Sequence, residues 1–349
     1  MAPQNLDQLF KLAVQKKASD LHIVAGMSPI LRIDGELVPQ ANLGQLTGKD
    51  TETLCISLLN DEQAKRFVAS RDLDVGYEIK DGTRFRVNLH WEKDQAGLVA
   101  RVISSKIPTM KELQMPDIVY DLIRLNEGLI LVTGPTGCGK STSLAAMINL
   151  INEERSAHIM TLEDPIEFVY QPKKCIIKQR QLGTDMLSFA AGLKHVVRQD
   201  PNVILVGEMR DLETIASTIT LAETGHLVLA TLHTFNAAQT VDRIIDVFPP
   251  HQQNQVRSQL SLFLKGIISQ RLLPRARGGR IAAREILLNT PAIANLIREN
   301  KIPQIKTAIQ TSAHEGMSTM DQNIKVLFEN NEIDRETALA HMANPESLH

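Results

Sequence analysis

The stretch GLILVTGPTGCGKSTSLAAMINL, residues 128–150, joins a strand-like apolar run to a glycine-rich loop and then to a helix-like pattern. Its central part, GPTGCGKS at residues 134–141, matches the P-loop pattern G-x-x-x-x-G-K-[ST]. Glycines allow backbone N–H groups to turn toward phosphate oxygens at the positive end of the following helix. This flanking pattern predicts a phosphate-binding P-loop rather than a glycine-rich turn without a ligand.

The P-loop predicts ATP and Mg²⁺ as ligands. Lys140 is expected to reach the β- and γ-phosphates, and Ser141 is expected to offer its hydroxyl to Mg²⁺. The predicted nucleotide contacts of the loop are Gly134, Pro135, Thr136, Gly137, Cys138, Gly139, Lys140, Ser141 and Thr142.

Beyond the loop, short apolar runs alternate with helix-like stretches, which is typical of a parallel α/β sheet covered on both faces. The runs lie at residues 129–132, 159–162, 203–206 and 227–230. From about residue 285 the pattern predicts helices alone. Residues 119–349 are therefore predicted to form a P-loop α/β domain with a helical C-terminal region.

The first part of the chain predicts a separate, smaller α+β domain over residues 1–104. The segment RFRVNLHW alternates apolar and polar side chains, which places Arg86 on the polar face of a strand. The dipeptide Asp34-Gly35 is typical of a hairpin turn. Residues 105–118 are rich in turn formers and are interpreted as a linker.

Composition excludes several classes of protein. The 349 residues carry a net charge of −2, so no overall field favours nucleic acid or an anionic membrane. The three cysteines lie far apart and predict neither a disulfide framework nor a zinc site. Neither a signal peptide nor an apolar run of about 18 residues is apparent. We expect a cytoplasmic protein without direct membrane insertion.

Two strand-like runs lead into acidic residues. The run at 203–206 precedes Glu208, and the run at 159–162 continues into Glu163, with Glu167 nearby. In a parallel sheet these positions share the ligand edge with the P-loop. A carboxylate at Glu208 could accept a proton from the attacking water. One carboxylate of the acidic cluster at residues 163–167, expected to be Glu163, could hold Mg²⁺ through water. The alternative is that these acids are solvated residues at strand ends.

Two histidines bracket the run at 227–230. His233 follows the run, on the side where a γ-phosphate would lie, whereas His226 precedes it. About 20 Å separates the two along an extended strand, so they cannot share one task. A packed or solvated histidine is the alternative for each.

Arginines are the remaining candidates. Ring-forming ATPases often complete their site with an arginine from a neighbour, which raises the rate about 10³–10⁵-fold. Arg84, Arg86 and Arg101 are candidates, and solvent-facing strand arginines are the alternative. Four more arginines surround Gly278-Gly279 without interleaved aromatics, which indicates a solvated loop rather than a nucleic-acid-binding patch.

Several motifs together resemble the secretion ATPases of the type II/type IV pilus class. Besides GPTGCGKS, these are TLEDPIEF at 161–168, QDPNVILVGEMRDLET at 199–214 and AETGHLVLATLHT at 222–234. ASDLHI at 18–23 and AIANLIRE at 292–299 resemble the retraction motors within that class. The resemblance covers essentially the whole chain. It implies an N-terminal PAS-like domain, a RecA-like ATPase domain and a hexameric ring.

The same resemblance implies roles for individual residues. Glu208 would be the general base, while Arg86 and Arg101 would reach nucleotide in the ring. The other matched positions belong to the acidic and histidine boxes, and they are Glu163, Glu167, His226 and His233.

Partners also follow from the resemblance. They are further copies of the chain in a homohexamer, an inner-membrane pilus platform protein and a paralogous retraction ATPase. The four-cysteine zinc site of extension motors cannot be built from Cys55, Cys138 and Cys175. Ala294 departs from the usual retraction motif and leaves open an accessory, nucleotide-gated module. A DNA translocase is a third reading, which the net charge disfavours.

Overall fold

A computed structural model describes residues 5–33, 35–103 and 106–348 and divides into two compact units. The first unit comprises Met1–Lys106 together with Pro165–Val169, and the second comprises Ile107–Asp164 and Tyr170–His349. Asp34 of the predicted hairpin turn lies outside the described residues, as do the predicted boundary residues 104 and 105.

The first unit is an α+β fold, as its sequence pattern predicts. Its helices are α1 (Leu6–Gln15), α2 (Gly48–Ile56) and α3 (Asp61–Ser70). Its strands are β1 (Asp20–Ile23), β2 (Ile30–Ile33), β3 (Glu36–Pro39), β4 (Asp72–Glu78), β5 (Arg84–Glu92) and β6 (Gln95–Ile103).

These six strands form one antiparallel sheet in the order β3-β2-β1-β6-β5-β4. The alternation predicted for β5 is confirmed, because Phe85, Val87 and Leu89 are buried while Arg86 is exposed. Phe10 of α1 stacks on Phe85 with 4.3 Å between ring centroids. One face of the sheet therefore holds the core, and the arginines lie on the other.

The second unit alternates strands and helices around a larger sheet. Its helices are α4 (Asp117–Ile123), α5 (Lys140–Glu154), α6 (Phe189–Val196), α7 (Leu212–Glu223), α8 (Ala237–Asp246), α9 (Pro250–Phe263), α10 (Pro291–Arg298), α11 (Ile305–Thr311), α12 (Met320–Glu329) and α13 (Arg335–His341). Its strands are β7 (Gly128–Thr133), β8 (His158–Glu163), β9 (Ile176–Gln181), β10 (Val203–Val206), β11 (Leu227–Leu232), β12 (Leu264–Pro274) and β13 (Arg280–Leu288).

The strand order in this sheet is β13-β12-β7-β11-β10-β8-β9. All neighbouring pairs except β12 and β13 are parallel. The four predicted apolar runs are confirmed as β7, β8, β10 and β11, and every residue of β7, β10 and β11 is buried. The carboxyl ends of these strands meet at one edge, where the P-loop follows β7.

The prediction of helices alone from about residue 285 is wrong at its start. β12 and β13 form an antiparallel hairpin, and β13 continues to Leu288 before α10 begins at Pro291. The solvated loop predicted around Gly278-Gly279 is limited to this hairpin turn, because Arg271 and Arg280 lie within the two strands. The mixed apolar and polar residues of these two strands show no sequence repeat that would distinguish a hairpin from a helix.

The segment before α4 is attached to this hairpin by one buried arginine. Arg284 of β13, only 3% exposed, donates from Nη2 to the carbonyl of Leu113 at 3.0 Å and from Nη1 to that of Gln114 at 3.2 Å. Burial lowers the pKa of Arg284 to about 10. α4 begins at Asp117, so the last two residues of the predicted linker are already helical.

Across the described part of the chain, no helix combines the length and the apolar character that a membrane span requires.

Candidate nucleotide site

The loop between β7 and α5 has the backbone conformation that its glycines predict. Gly134, Gly137 and Gly139 have φ values of 142°, 78° and 88°, which favour glycine. Gly134 is also a close-approach position, because a Cβ atom there would collide with the carbonyl oxygen of Gln270 and with Cys138 Sγ. The loop thus curls against β12 before α5 begins at Lys140.

Within the curl, the other predicted contacts differ in exposure. Thr136 is exposed and Pro135 is half-buried, whereas Cys138 is buried. Burial raises the pKa of the Cys138 thiol, despite the opposing effect of nearby Lys140. The thiol is therefore neutral, and it packs beside Gly134. Ser141 and Thr142 stand half-buried in the first turn of α5, where backbone N–H groups lack helical partners and favour anions.

Four side chains from three segments of the chain form one contact chain beside the loop. Lys140 Nζ donates to the carbonyls of Gly134 at 2.8 Å and Pro135 at 3.2 Å, and it lies 3.4 Å from His233 Nδ1. His233 Nε2 lies 3.0 Å from Glu208 Oε1. A His233 ring protonated at Nε2 can donate to Glu208 while Nδ1 accepts from Lys140.

The chain ends at Arg210, whose Nη2 is 2.8 Å from Glu208 Oε2. Burial alone raises the pKa of Glu208, but the hydrogen bond from Arg210 and the charges of His233 and Arg210 outweigh it and leave that pKa below its usual range. The same bond raises the pKa of Arg210. The Glu208 carboxyl is therefore ionised at neutral pH.

The register of the sheet places these groups at one edge. β10 pairs with β11 in parallel. Glu208 follows the end of β10 by two residues and therefore lies beside the end of β11, and His233 is the first residue after β11. Thr231 Oγ1 donates to the carbonyl of Gly207, and the N–H of Met209 donates to the carbonyl of Thr231 at 3.1 Å. These bonds hold the turn that carries Glu208.

Glu163 lies at the same edge, at the end of β8, but in a different environment. It is only 8% exposed, and its Oε1 accepts hydrogen bonds from Thr161 Oγ1 at 2.6 Å and Gln179 Nε2 at 3.1 Å. No cluster of three or more histidine, cysteine or acidic residues suited to a metal exists among the residues that the structure describes. Mg²⁺ commonly relies on one or two protein oxygens and on substrate phosphates, and the Ser141 hydroxyl and Glu163 carboxylate fit that donor type.

Two other predicted residues lie elsewhere. His226 precedes β11 at the amino ends of the strands, and its Nδ1 lies 3.0 Å from the carbonyl of Leu221 and 3.2 Å from Thr224 Oγ1. The structure therefore does not bring His226 to the P-loop edge. Glu167 is half-buried within Pro165–Val169, which belongs to the first unit.

The two predicted arginines also belong to the first unit, where they are neighbours. Arg86 of β5 pairs in register with Arg101 of β6, and both are exposed. Arg101 Nε donates to Oδ1 of buried Asp20 at 2.9 Å, and Arg32 Nε lies 3.8 Å from Asp20 Oδ2. In-register pairing aligns Arg32, Asp20, Arg101 and Arg86 across four adjacent strands.

Two residues of the site escaped prediction. Arg210 follows Glu208 by two positions, and an arginine so close in sequence to a candidate base could have been predicted to contact that base. Gln270 lies buried on β12 against the P-loop, and only the hairpin that sequence patterns missed brings it there.

Comparisons with known proteins find relatives that match nearly the whole chain. A family model described as Type II/IV secretion system protein matches residues 2–335. The chain is 46% identical over 344 residues to the type IV pilus retraction ATPase PilT of Pseudomonas aeruginosa, covering 99% of this chain and 100% of that protein. It is 40% identical over 343 residues to the type IV pilus ATPase PilU of that organism, covering 98% and 90%.

The fold is similar as well. The crystal structure of the pilus retraction motor PilT with bound ADP matches with a TM-score of 0.92 at 43% identity, over 99% of both chains.

Proposed function

The chain belongs to the family of type II/IV secretion system proteins, and we propose that it is an ATP-hydrolysing motor that powers type IV pilus retraction. The relatives support the biological role, since PilT of Pseudomonas aeruginosa is named for pilus retraction and matches over its whole length. The observation that carries the chemistry is the contact chain from Lys140 through His233 to Glu208.

In the proposed reaction, the P-loop N–H groups and Lys140 bind the β- and γ-phosphates of ATP. Glu208 accepts a proton from the water that attacks the γ-phosphate. Arg210 keeps that carboxyl ionised, because its hydrogen bond favours the charged form. His233 orients Glu208 and couples it to Lys140.

Mg²⁺ would be held by the Ser141 hydroxyl and, through water, by Glu163. When bound, it would neutralise charge on the phosphate oxygens. The hydrogen bonds from Thr161 and Gln179 support this role, because they fix the orientation of the Glu163 carboxylate.

We further propose that the active form is a homohexamer on the cytoplasmic side of the inner membrane. Arg86 and Arg101 would complete the nucleotide site within the ring, and domain rotation during the ATP cycle would turn an inner-membrane platform protein so that pilin is withdrawn. Glu167 of the acidic box stays a proposed nucleotide-binding residue on the resemblance alone. His226 of the histidine box, to which the resemblance gave the same role, lies at the amino ends of the strands, so no nucleotide contact within the subunit is proposed for it. Neither nucleic acid nor direct membrane insertion enters this proposal.

An accessory role is the second candidate, because the chain is also similar to PilU. In that case it would be a nucleotide-gated module that modulates a paralogous retraction motor and hydrolyses little ATP itself. The two candidates differ in turnover, since they share the nucleotide-binding loop.

The test measures Mg²⁺-dependent ATP turnover per subunit as a function of protein concentration, with Glu208→Gln as the inactive reference. Turnover that climbs with concentration and falls about 10²–10⁴-fold in the variant supports a motor whose site is completed between neighbours. The matched control is Glu213→Gln, which changes an exposed acid nearby in the first turn of α7 and should leave turnover intact. Negligible turnover in the unmodified protein, with intact ATP binding, would favour the accessory role.

A further inference from the structure

The strand next to the P-loop strand ends its pairing at a buried amide side chain. β12 pairs with β7 in parallel up to Ser269 opposite Thr133, and Gln270 is the following residue. Gln270 is 1% exposed. A buried amide in a sheet core is costly unless its donors and acceptor are satisfied.

Gln270 satisfies its amide with the P-loop. Its Nε2 donates to the carbonyl of Cys138 at 2.8 Å, and its Oε1 accepts from Ser143 Oγ at 3.0 Å. Its own carbonyl oxygen packs where a side chain on Gly134 would otherwise lie. One residue of β12 thus contacts the start of the loop, its last turn and the helix that follows.

The bond to Cys138 fixes more than one atom. A trans peptide is planar, with its C=O and N–H pointing in opposite directions. Anchoring the Cys138 carbonyl against β12 therefore directs the N–H of Gly139 away from β12. Gly139 is the residue before α5, where loop N–H groups face a bound phosphate in this class of site.

We propose that Gln270 is a positioning residue that holds the P-loop in its phosphate-binding conformation. This proposal rests on the proposed function only in that the loop binds the phosphates of ATP. Glycines give the loop many alternative conformations, so an anchor from a rigid strand lowers the cost of ordering it around phosphate. Gln270 makes this contribution without touching the ligand itself.

The neighbouring residue provides a matched control. Ser269 is as buried as Gln270 and accepts a hydrogen bond from Thr133 Oγ1 at 2.8 Å. Successive side chains of a strand point to opposite faces. Ser269→Ala therefore removes a buried hydrogen bond of the same sheet without removing a contact to the P-loop backbone.

The experiment compares Gln270→Leu with Ser269→Ala in the full-length protein. Calorimetry measures the Kd of ATP and of inorganic tripolyphosphate, which has phosphates but no nucleoside, and thermal unfolding measures Tm. We expect both variants to lower Tm, because each breaks a buried hydrogen bond. Only Gln270→Leu should weaken both ligands, by about tenfold.

A second variant keeps the proposal testable if Gln270→Leu does not fold. Gln270→Glu keeps the size and can still accept from Ser143, but its carboxylate cannot donate to the Cys138 carbonyl. It should weaken tripolyphosphate at least as strongly as the leucine variant. Unchanged affinity for tripolyphosphate in a folded Gln270 variant, with only Tm lowered, would overturn the proposal.

A further variant separates this outcome from failure of the proposed function. Lys140→Ala should abolish tripolyphosphate binding if the loop is a phosphate site at all. If Lys140→Ala and the unmodified protein bind tripolyphosphate equally, the proposed phosphate site itself is wrong. If Lys140→Ala fails to bind while Gln270→Leu binds normally, only the positioning role of Gln270 is wrong.

Discussion

The two units carry different parts of the proposed chemistry, and they hold them in different ways. In the second unit, Lys140, His233, Glu208 and Arg210 contact one another in series, so each side chain limits the next. In the first unit, Arg86 and Arg101, together called the arginine row, are exposed, and Arg101 is held mainly by its bond to buried Asp20. The groups of the second unit are thus interlocked, whereas the candidate arginines of the first unit are supported singly. Mutations of the arginines should therefore lower turnover alone, whereas mutations of the interlocked groups should change turnover or its pH dependence.

The largest expected effect concerns the arginine row. Arg86→Ala should lower turnover by about 10³-fold while ATP binding to an isolated subunit stays intact, because a transition-state arginine contributes little to ground-state affinity. Turnover of assembled protein and the Kd of dilute protein measure the two effects. Arg84→Ala is the control on the same strand, where Arg84 pairs with Glu78 at 3.8 Å. Equal loss in both variants would remove any special role for Arg86.

A smaller effect is expected at Asp20, the buried support of that row. Asp20→Asn should lower turnover about tenfold, because Arg101 loses a charge-assisted hydrogen bond that orients its guanidinium. The affinity for ATP should not change. In the double variant with Arg101→Ala, the two losses should not add, since both act through one side chain. Additive losses would show that Asp20 acts independently of Arg101.

The interlocked site should respond to pH rather than to assembly. The pKa of Glu208 is lowered, so its carboxyl stays ionised, as the proposed base requires, until the pH falls through that lowered pKa. Arg210→Ala removes the hydrogen bond that lowers this pKa, so the acid limb of the turnover profile should move to higher pH. Initial rates between pH 4 and 8 measure the shift. An unmoved acid limb would mean that Glu208 does not set it.

The smallest effect is expected at His226. Its contacts with Thr224 and Leu221 lie at the amino ends of the strands, away from the P-loop. His226→Ala should therefore change the Kd of ATP by less than about twofold. His233→Ala, measured in parallel, should weaken turnover because His233 contacts Glu208. A large loss of ATP affinity in His226→Ala would instead indicate that His226 contacts the nucleotide.

Local patterns carried most of the fold prediction. The P-loop was predictable because its glycines, Lys140 and the flanking strand and helix are contiguous in sequence. Glu208 and His233 were separately predictable as residues that follow buried strands. The contact between Glu208 and His233 was less predictable, because it depends on β10 and β11 being neighbouring strands in register.

The rest of the site depends on long-range pairing that local patterns do not encode. Gln270 reaches the P-loop across 132 residues of sequence, from a strand that joins the sheet beside β7. The hairpin of β12 and β13 carries no period that separates it from the helices after it. The support of Arg101 by Asp20 was hidden for the same reason, since 81 residues separate the two.

The buried arginine of β13 has a mechanical consequence. Arg284 grips the carbonyls of Leu113 and Gln114, both of which precede α4 in the chain. Tension applied to the chain at Ile107 would reach the hydrogen bonds of Arg284 before it reached α4 and the P-loop strand β7. The load would pass sideways into the hairpin of β12 and β13, the same hairpin whose Gln270 anchors the phosphate loop. The hairpin would therefore both bear tension from this segment and hold the conformation of the phosphate loop.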